Sequence, residues 1–456
     1  MEDRKRLTRR QLLRTSGLAV GAAALAGCAG AATPQVVERV VKETVMVETV
    51  VTPTAAITEP TTVTASFWAY PEQMAEFQML LDAFAQKQPL IKPEIIPVPV
   101  GEYWQKLQTM IAGGTEPNLM YLSAYWFPAL AEKSLVLEIE PFIEASGWDM
   151  SIYWEQTLEA FKWEAKQHGL PYVLTPLVIL YNKTLFDEAG LQHPPSDLSD
   201  ADWWTWDAML EAAMTLTKQD AAGRPIQFGC QFSPTYWVDI HNFPWQNGGK
   251  VLNDDKTACL LDSAESTEAL TWHAELATKH RVCPNVGQAT ADIGFNVGNI
   301  GFRWFAGSQL PGLRKQATEF EWDIAHLPTK AVRDGVLVSE CFAISKAAPN
   351  PEAAWMLMSY LCGDEGQMLQ AYHPRSMPST RAAAQKFVEL AAEMPPASLQ
   401  VYVDSLEYTR YPDITTKWDE MITTIGKELE RAWIGEQSPE DACKVATQNV
   451  NALLAG

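Results

Sequence analysis

The chain of 456 residues carries 35 Lys and Arg against 56 Asp and Glu, a formal charge of −21, with 47% hydrophobic and 20% charged residues. This is the composition of a soluble globular protein, and the length allows two or three domains with large cores. So acidic a surface repels nucleic acid and anionic lipid, which excludes a phosphate-backbone partner.

The first element is "LTRRQLLRTSGLAVGAAALAGC", residues 7–28. A cationic cluster of Arg4, Lys5, Arg6, Arg9, Arg10 and Arg14 precedes an uncharged run from Gly17 to Gly27 and then Cys28, the layout of an export signal. The apolar run is only about half the ~20 residues of a membrane-spanning helix, and no later segment qualifies. The order from Thr8 to Arg14 resembles a twin-arginine signal, which exports proteins already folded. Leu25-Ala26-Gly27-Cys28 resembles a bacterial lipobox, which implies cleavage before Cys28 and its acylation. Several acyl chains at about 0.8 kcal/mol per buried methylene give lasting membrane attachment. Without residues 1–27 the chain holds 29 basic and 54 acidic residues, a charge of −25. Six cysteines remain, Cys230, Cys259, Cys283, Cys341, Cys362 and Cys443, with no CxxC pair to suggest a zinc ribbon or redox motif. An oxidising exterior permits disulfides, but the sequence leaves their pairing open.

Residues 29–62 are almost wholly Val, Thr, Ala, Glu and Pro without an aromatic residue. Such a stretch buries too little surface to offset its ordering entropy and reads as a flexible tether, with an edge strand or short coiled segment as the alternative. The body opens with "TVTASFWAY", residues 62–70, a predicted strand. Met74, Phe77, Leu80, Leu81 and Phe84 recur at close to 3.6 residues and predict a helix over 72–86. "KPEIIPVPV", "GEYWQKLQTMIAGGTEP" and "NLMYLSAYW" follow as strand, helix and strand. The alternation predicts a mainly parallel sheet covered by helices, with ligands at the carboxyl ends of its strands. That puts Trp68, Tyr70, Ser123, Tyr125 and Trp126 near a potential site.

"GLPYVLTPLVILYNKTLFDEAGLQHPP" (169–195) leads into the Trp-rich "DLSDADWWTWDAMLEAAMTLTKQDAAGRPIQFG". Further along come "WQNGGKVLNDDKTACLLDSAESTEAL" (245–270), "FNVGNIGF" (295–302), "EWDIAHLPTK" (321–330), "FAISKAAPNPEAAWMLMSYL" (342–361) and "GEQSPEDACKVATQNVNALL". In this order and spacing the chain resembles, over nearly all of residues 63–456, the extracellular solute-binding proteins of ABC importers. The resemblance is to the large sugar-binding family that includes maltose-binding protein. Local chemistry agrees with it. Asn247-Gly248-Gly249 and Asn253-Asp254-Asp255 supply the turns of a hairpin, and Ser263 and Asn350 are predicted helix caps.

The resemblance implies an α/β fold of the periplasmic-binding-protein type II, two α/β lobes with a ligand cleft between them. Lobe 1 would be 63–173 plus 331–373 and lobe 2 would be 174–330 plus 374–456. The chain would cross between lobes near Val173–Pro176, Leu327–Lys330 and Pro374–Pro378. Closure on a solute would prepare a monomeric receptor, lipid-anchored outside the cytoplasm, to dock on a permease, and the tether would raise its effective concentration there. A pyranose suits flat aromatic walls with a polar rim. The family's site positions fall here on Trp68, Tyr70, Tyr125, Trp126, Thr175, Tyr236, Trp237, Trp245, Trp304 and Glu340. The aromatic residues would stack; Glu340 and Asp239 would accept hydroxyls. Trp203, Trp204, Trp206, Trp355 and Trp433 fit helix packing. Asn118 stands where family members often have Asp, which removes a carboxylate from the first lobe. A phosphorylated ligand such as glycerol-3-phosphate is the alternative, with Arg303 and Arg375 as the cations near crossings; neutral sugar is favoured.

No GxSxG, GxxxxGK[ST], HExxH or GxGxxG is present, so no catalytic residue or cofactor is expected. His273, His280 and Cys283 read as a solvated helix face rather than a zinc site. A secreted glycoside hydrolase would share the aromatic walls and acidic balance but needs two opposed carboxylates. A surface adhesin does not call for paired lobes.

Overall fold

The computed structural model describes residues 57–68, 74–285, 292–372, 376–390 and 394–456. The signal-like segment with Cys28, most of the tether, Tyr70 and Arg375 lie outside them. No helix among the described residues is long and apolar enough to cross a membrane.

Fourteen strands are named in chain order among those residues. They are β1 (Thr61–Trp68), β2 (Ile91–Val98), β3 (Leu119–Ser123), β4 (Lys162–Trp163), β5 (Lys166–Gln167), β6 (Gly169–Pro176) and β7 (Val178–Asn182), followed by β8 (Lys218–Gln219), β9 (Pro225–Gln231), β10 (Ile300–Phe305), β11 (Trp322–Ala325), β12 (Gly335–Ile344), β13 (Met377–Pro378) and β14 (Thr409–Arg410). Two sheets organise the two α/β lobes. The first runs β13-β6-β12-β3-β1-β2 with β14 beside β12, and the second runs β11-β7-β10-β9-β8.

The opening elements form where the hydrophobic pattern puts them. β1 pairs in parallel with β2 and β3, and the helix Met74–Lys87 turns Phe77, Leu80, Leu81 and Phe84 into the core. Full burial of each such side chain contributes about 1.5–3 kcal/mol. Parallel pairing does not extend across the sheet, however. β12 runs antiparallel to both β3 and β6, because it returns from the other lobe; the sheet is mixed rather than mainly parallel. The second sheet is mixed as well, with β7 antiparallel to β10 and β11 while β9 is parallel to β10.

β6 stays paired to β12 through Pro176, and β7 begins at Val178 in the other sheet. The first sheet therefore keeps the chain three residues past Val173. Proline has no N–H to continue the ladder, and the next N–H, Leu177, bonds Val336 O at 2.9 Å. Similarly β13 belongs to the first sheet, antiparallel to β6, although the sequence partition gives residues from 374 to the other lobe. The return crossing lies between the end of β11 at Ala325 and the start of β12 at Gly335.

Short-range chemistry holds the remaining ends. Asn182, Thr205, Ser263, Asn350 and Ser438 each cap a helix by accepting a backbone N–H, each cap stabilising by about 1 kcal/mol. Asn118 Oδ1 accepts from Thr64 N and Oγ1, at 2.9 and 3.2 Å. This tie lies at the amino end of β3, so Asn118 clamps that strand to β1. In the second lobe Gly229 and Gly301 let β9, β10 and the helix Trp206–Leu216 approach closely; a Cβ on Gly229 would stand 2.0 Å from Ala213 O.

Candidate functional site

Two cavities share an aromatic seam. The first, about 340 Å³, is lined by Trp104, Tyr125, Trp126, Lys133, Trp418 and Asp419 among others. Trp104 and Trp126 stack nearly parallel at 5.1 Å and 6°. Trp104 comes from the helix Tyr103–Ala112, and Trp126 from the turn after β3. Across from them Tyr125 stacks on Trp418 at 5.9 Å and 20°. Trp418 begins the helix Trp418–Trp433, whose buried residues join the second-lobe helices Trp237–Gln246 and Ala264–Thr278 in one apolar cluster. Burial raises the Asp419 carboxyl, opposed by a hydrogen bond from Trp104.

The second cavity, about 410 Å³, is lined by Phe232, Tyr236, Asp239, Arg303, Trp304 and Trp433 with neighbouring backbone. Its wall is built from β9, β10 and the carboxyl end of the 418–433 helix. Trp304 Nε1 donates to Asp239 Oδ1 at 2.7 Å, and Ser233 N donates to Oδ2 at 3.3 Å. Asp239 is fully buried, and His273 Nε2 stands 3.6 Å from its Oδ1. Desolvation favours the neutral form of both partners: it raises the Asp239 carboxyl well above its ordinary value and pushes His273 down to about 3. Tyr236 is pushed up to about 12, first by burial and then by Asp239, with Arg303 opposing. Trp237 stands at the seam, 5.9 Å from Tyr125 and 6.0 Å from Tyr236.

Glu340 enters from β12, opposite Ser123 of β3 and Val173 of β6, where a bulge interrupts the register at Glu340/Cys341. Bulges re-aim side chains beside functional sites. The Glu340 carboxylate is close enough to Tyr125 and Tyr411 to raise both phenols, after burial as the larger cause.

The structure therefore brings Tyr125 and Trp126 to one cavity, Tyr236, Asp239 and Trp304 to the other, with Trp237 and Glu340 nearby. Asp239 lines the second cavity and holds Trp304 in its wall. Trp68, Ser123 and Thr175 are buried in the first sheet, Trp68 against Tyr121 at 4.2 Å and Tyr103 at 4.9 Å. Trp245 is buried in the second-lobe core with the Arg410 guanidinium 4.0 Å over its ring. Trp433 is packed in that core as expected and also lines the second cavity. Trp104 and Trp418, which no sequence pattern marks, line the first cavity. His273 is no solvated residue: it stacks on Phe243 at 4.5 Å in the core. Among the described residues no cluster of His, Cys, Asp and Glu is arranged to hold a metal ion.

Comparison with known proteins agrees with this architecture. A family model described as bacterial extracellular solute-binding protein matches residues 79–396. An ABC substrate-binding protein of Listeria monocytogenes, solved in complex with cycloalternan, superposes with a TM-score of 0.78 at 25% identity, covering 87% of this chain and 100% of that one. A binding protein of Brucella abortus (strain 2308) is 21% identical over 385 residues, covering 83% of this chain and 89% of its own. The sn-glycerol-3-phosphate-binding periplasmic protein of Pectobacterium atrosepticum is 24% identical over 418 residues, covering 83% and 88%. These relatives are binding proteins, not enzymes, and the hydrolase alternative falls. The chain belongs to the bacterial extracellular solute-binding protein family.

Proposed function

We propose that this protein is an extracytoplasmic receptor that closes its two lobes on a sugar and delivers it to an ABC permease. The observation that carries this reading is the paired aromatic wall, Trp104 on Trp126 from the first lobe facing Tyr125 on Trp418, with Trp304 held rigidly by Asp239 across the seam. Flat rings suit the C–H faces of a pyranose, and Glu340, Tyr236 and Asp419 supply a polar rim for its hydroxyls. The cycloalternan complex of the Listeria relative supports a saccharide ligand. Trp68, Ser123, Thr175, Tyr70 and Arg375 complete the proposed surroundings, and Trp245 acts as core support. The lobes are taken as 63–173 plus 331–373 and 174–330 plus 374–456, with the sheet-level shifts at Pro176 and β13 described above. Acylation of Cys28 and the 29–62 tether would hold a monomer at the outer face of the membrane, within reach of its permease.

A glycerol-phosphate ligand is the second reading. Arg303 lines the second cavity and forms no ion pair among the described residues, and the Pectobacterium relative is named for such a ligand. Against it, the Arg303 guanidinium already donates to Gln309 Oε1 and Trp304 O and sits between the Phe295 and Phe305 rings. Thermal-shift and tryptophan-fluorescence titrations against oligosaccharides, monosaccharides and glycerol phosphates decide between them. At 100 times its dissociation constant the true ligand adds about 2.7 kcal/mol of stability. Stabilisation by glycerol-3-phosphate alone would replace sugar as the ligand.

A further inference from the structure

The six cysteines after Cys28 are buried free thiols, and they fall into three neighbourhoods of two. Cys341 pairs in register with Pro171 while Cys362 Sγ reaches Leu170 O at 3.6 Å. Cys259 and Cys443 share one apolar cluster. The third couple is the most closely built. Cys230 N and Sγ both donate to Val282 O, at 3.1 and 3.6 Å. Cys283 Sγ accepts from Phe232 N at 3.1 Å and donates to Phe232 O at 3.6 Å. Each thiol thus bonds backbone within two residues of the other cysteine. Residues on both sides of this couple line the second cavity: Gln231, Phe232 and Ser233 on one segment, Pro284 and Asn285 on the other.

We propose that Cys230 and Cys283 close into a disulfide outside the cytoplasm, fastening the 282–285 segment to β9 at the wall of the second cavity. The oxidising setting rests on the extracytoplasmic location proposed above; the pairing itself rests on the geometry alone. The oxidant is an external disulfide, of the glutathione or thiol-oxidoreductase class. One cysteine, as thiolate, attacks it and forms a mixed disulfide, releasing one external thiolate that takes up a proton. The second cysteine, deprotonated in turn, attacks the Sγ of the first, forms the Cys230–Cys283 bond and expels the other external sulfur as a thiolate that takes up a proton. Two protons and two electrons leave the pair, and the external disulfide is reduced to two thiols. Because both sulfurs are buried and the chain would be exported already folded, the exchange occurs by local opening. Closing the chain from 230 to 283 restricts the unfolded ensemble and so raises the melting temperature.

The test equilibrates the full chain in vitro with reduced and oxidised glutathione, which separates the pairing from where the cell puts the protein. Samples are acid-quenched, alkylated under denaturing conditions and mapped by peptide mass. The expected result is one cross-linked peptide joining Cys230 to Cys283, with a melting temperature that falls by several degrees on adding dithiothreitol. In Cys230→Ala/Cys283→Ala that fall shrinks or disappears. Complete alkylation of both thiols in the oxidised sample, or pairing of either with another cysteine, overturns the proposal. The map is made on the wild-type chain and decides the matter even if the double variant fails to fold. A pair that forms in vitro in a protein fractionating with the cytoplasm would overturn the location and leave the pairing intact.

Discussion

Replacing Asp239 by Ala removes the carboxylate that accepts from the Trp304 indole and from Ser233 N, at 2.7 and 3.3 Å. A buried donor left without a partner costs about 1–3 kcal/mol, and Ser233 N is only part-buried, so the expected loss is about 2–4 kcal/mol. For a domain of this size that is roughly 4–8 °C of melting temperature. Asp239→Asn keeps an amide oxygen in the Oδ1 position and is expected within about 1 kcal/mol of wild type. The two variants also differ in pH dependence. Burial raises the Asp239 carboxyl, so the folded state retains a proton that the unfolded chain loses above about pH 4; wild-type stability therefore falls as pH climbs from there toward the folded value. Asp239→Asn lacks that component. Urea unfolding followed by tryptophan fluorescence at pH 4 and pH 7, with saccharide titrations beside it, measures both effects. If Asp239→Ala unfolds at the wild-type midpoint, or if Asn costs as much as Ala, Asp239 does not hold the Trp304 wall.

Acid should act through three buried histidines. Burial pushes His241 and His326 down to about 4 and His273 to about 3, so the unfolded chain takes up protons first and stability is lost as pH falls from about 6.5 through those values. At pH 5 the loss approaches roughly 2 kcal/mol per histidine; His273→Phe, which retains the stack on Phe243, should remove one share, and an unchanged pH slope would count against it. Trp104→Ala should weaken saccharide binding by about 10- to 100-fold in calorimetry, and an unaltered dissociation constant would remove the first cavity from the site. Gly229→Ala forces a Cβ to within 2.0 Å of Ala213 O and should cost about 3 kcal/mol in a denaturation curve; a wild-type melting point would mean that the helix Trp206–Leu216 can shift freely.

Much of the scaffold is legible in local pattern. Periodicity alone marks the Phe77–Phe84 face, and residue chemistry marks the Ser263 and Asn350 caps, because both depend on neighbours within a few positions. The second sheet and the crossings come from the distributed resemblance, not from periodicity. Local pattern mistakes the sheet's direction at β12, whose partners lie some two hundred residues upstream. The site divides in the same way. Tyr125 and Trp126 follow a strand and are marked by position; Tyr236, at a helix start, and Trp304, within β10, come from the resemblance. Trp104 and Trp418 sit on helices separated by some three hundred residues, and no spacing rule brings them together; the nearest signal is that Trp104 follows the buried Tyr103 on the outer face of its helix. Trp245 shares composition with its cavity neighbours, yet one turn of helix sends its ring into the core under Arg410. His273 fails for the converse reason: a polar residue on a regular helix looks solvated until Phe243 and Trp433 are seen on either side.

The helix Trp418–Trp433 has one end at each cavity: Trp418 and Asp419 at its start reach Tyr125 and Trp104, while Glu430 and Trp433 near its end line the wall beside Trp304. It is a rod bearing chromophores between the two cavities. If the lobes close as proposed, rotation of one against the other alters the overlap of the Tyr125 and Trp418 rings, and with it their coupling and quenching, while the Trp104–Trp126 stack within the first lobe serves as an internal reference. The protein thus carries an unlabelled optical gauge of its own opening, readable by near-ultraviolet circular dichroism or fluorescence lifetime, and an engineered variant needs no attached dye to report the concentration of its solute.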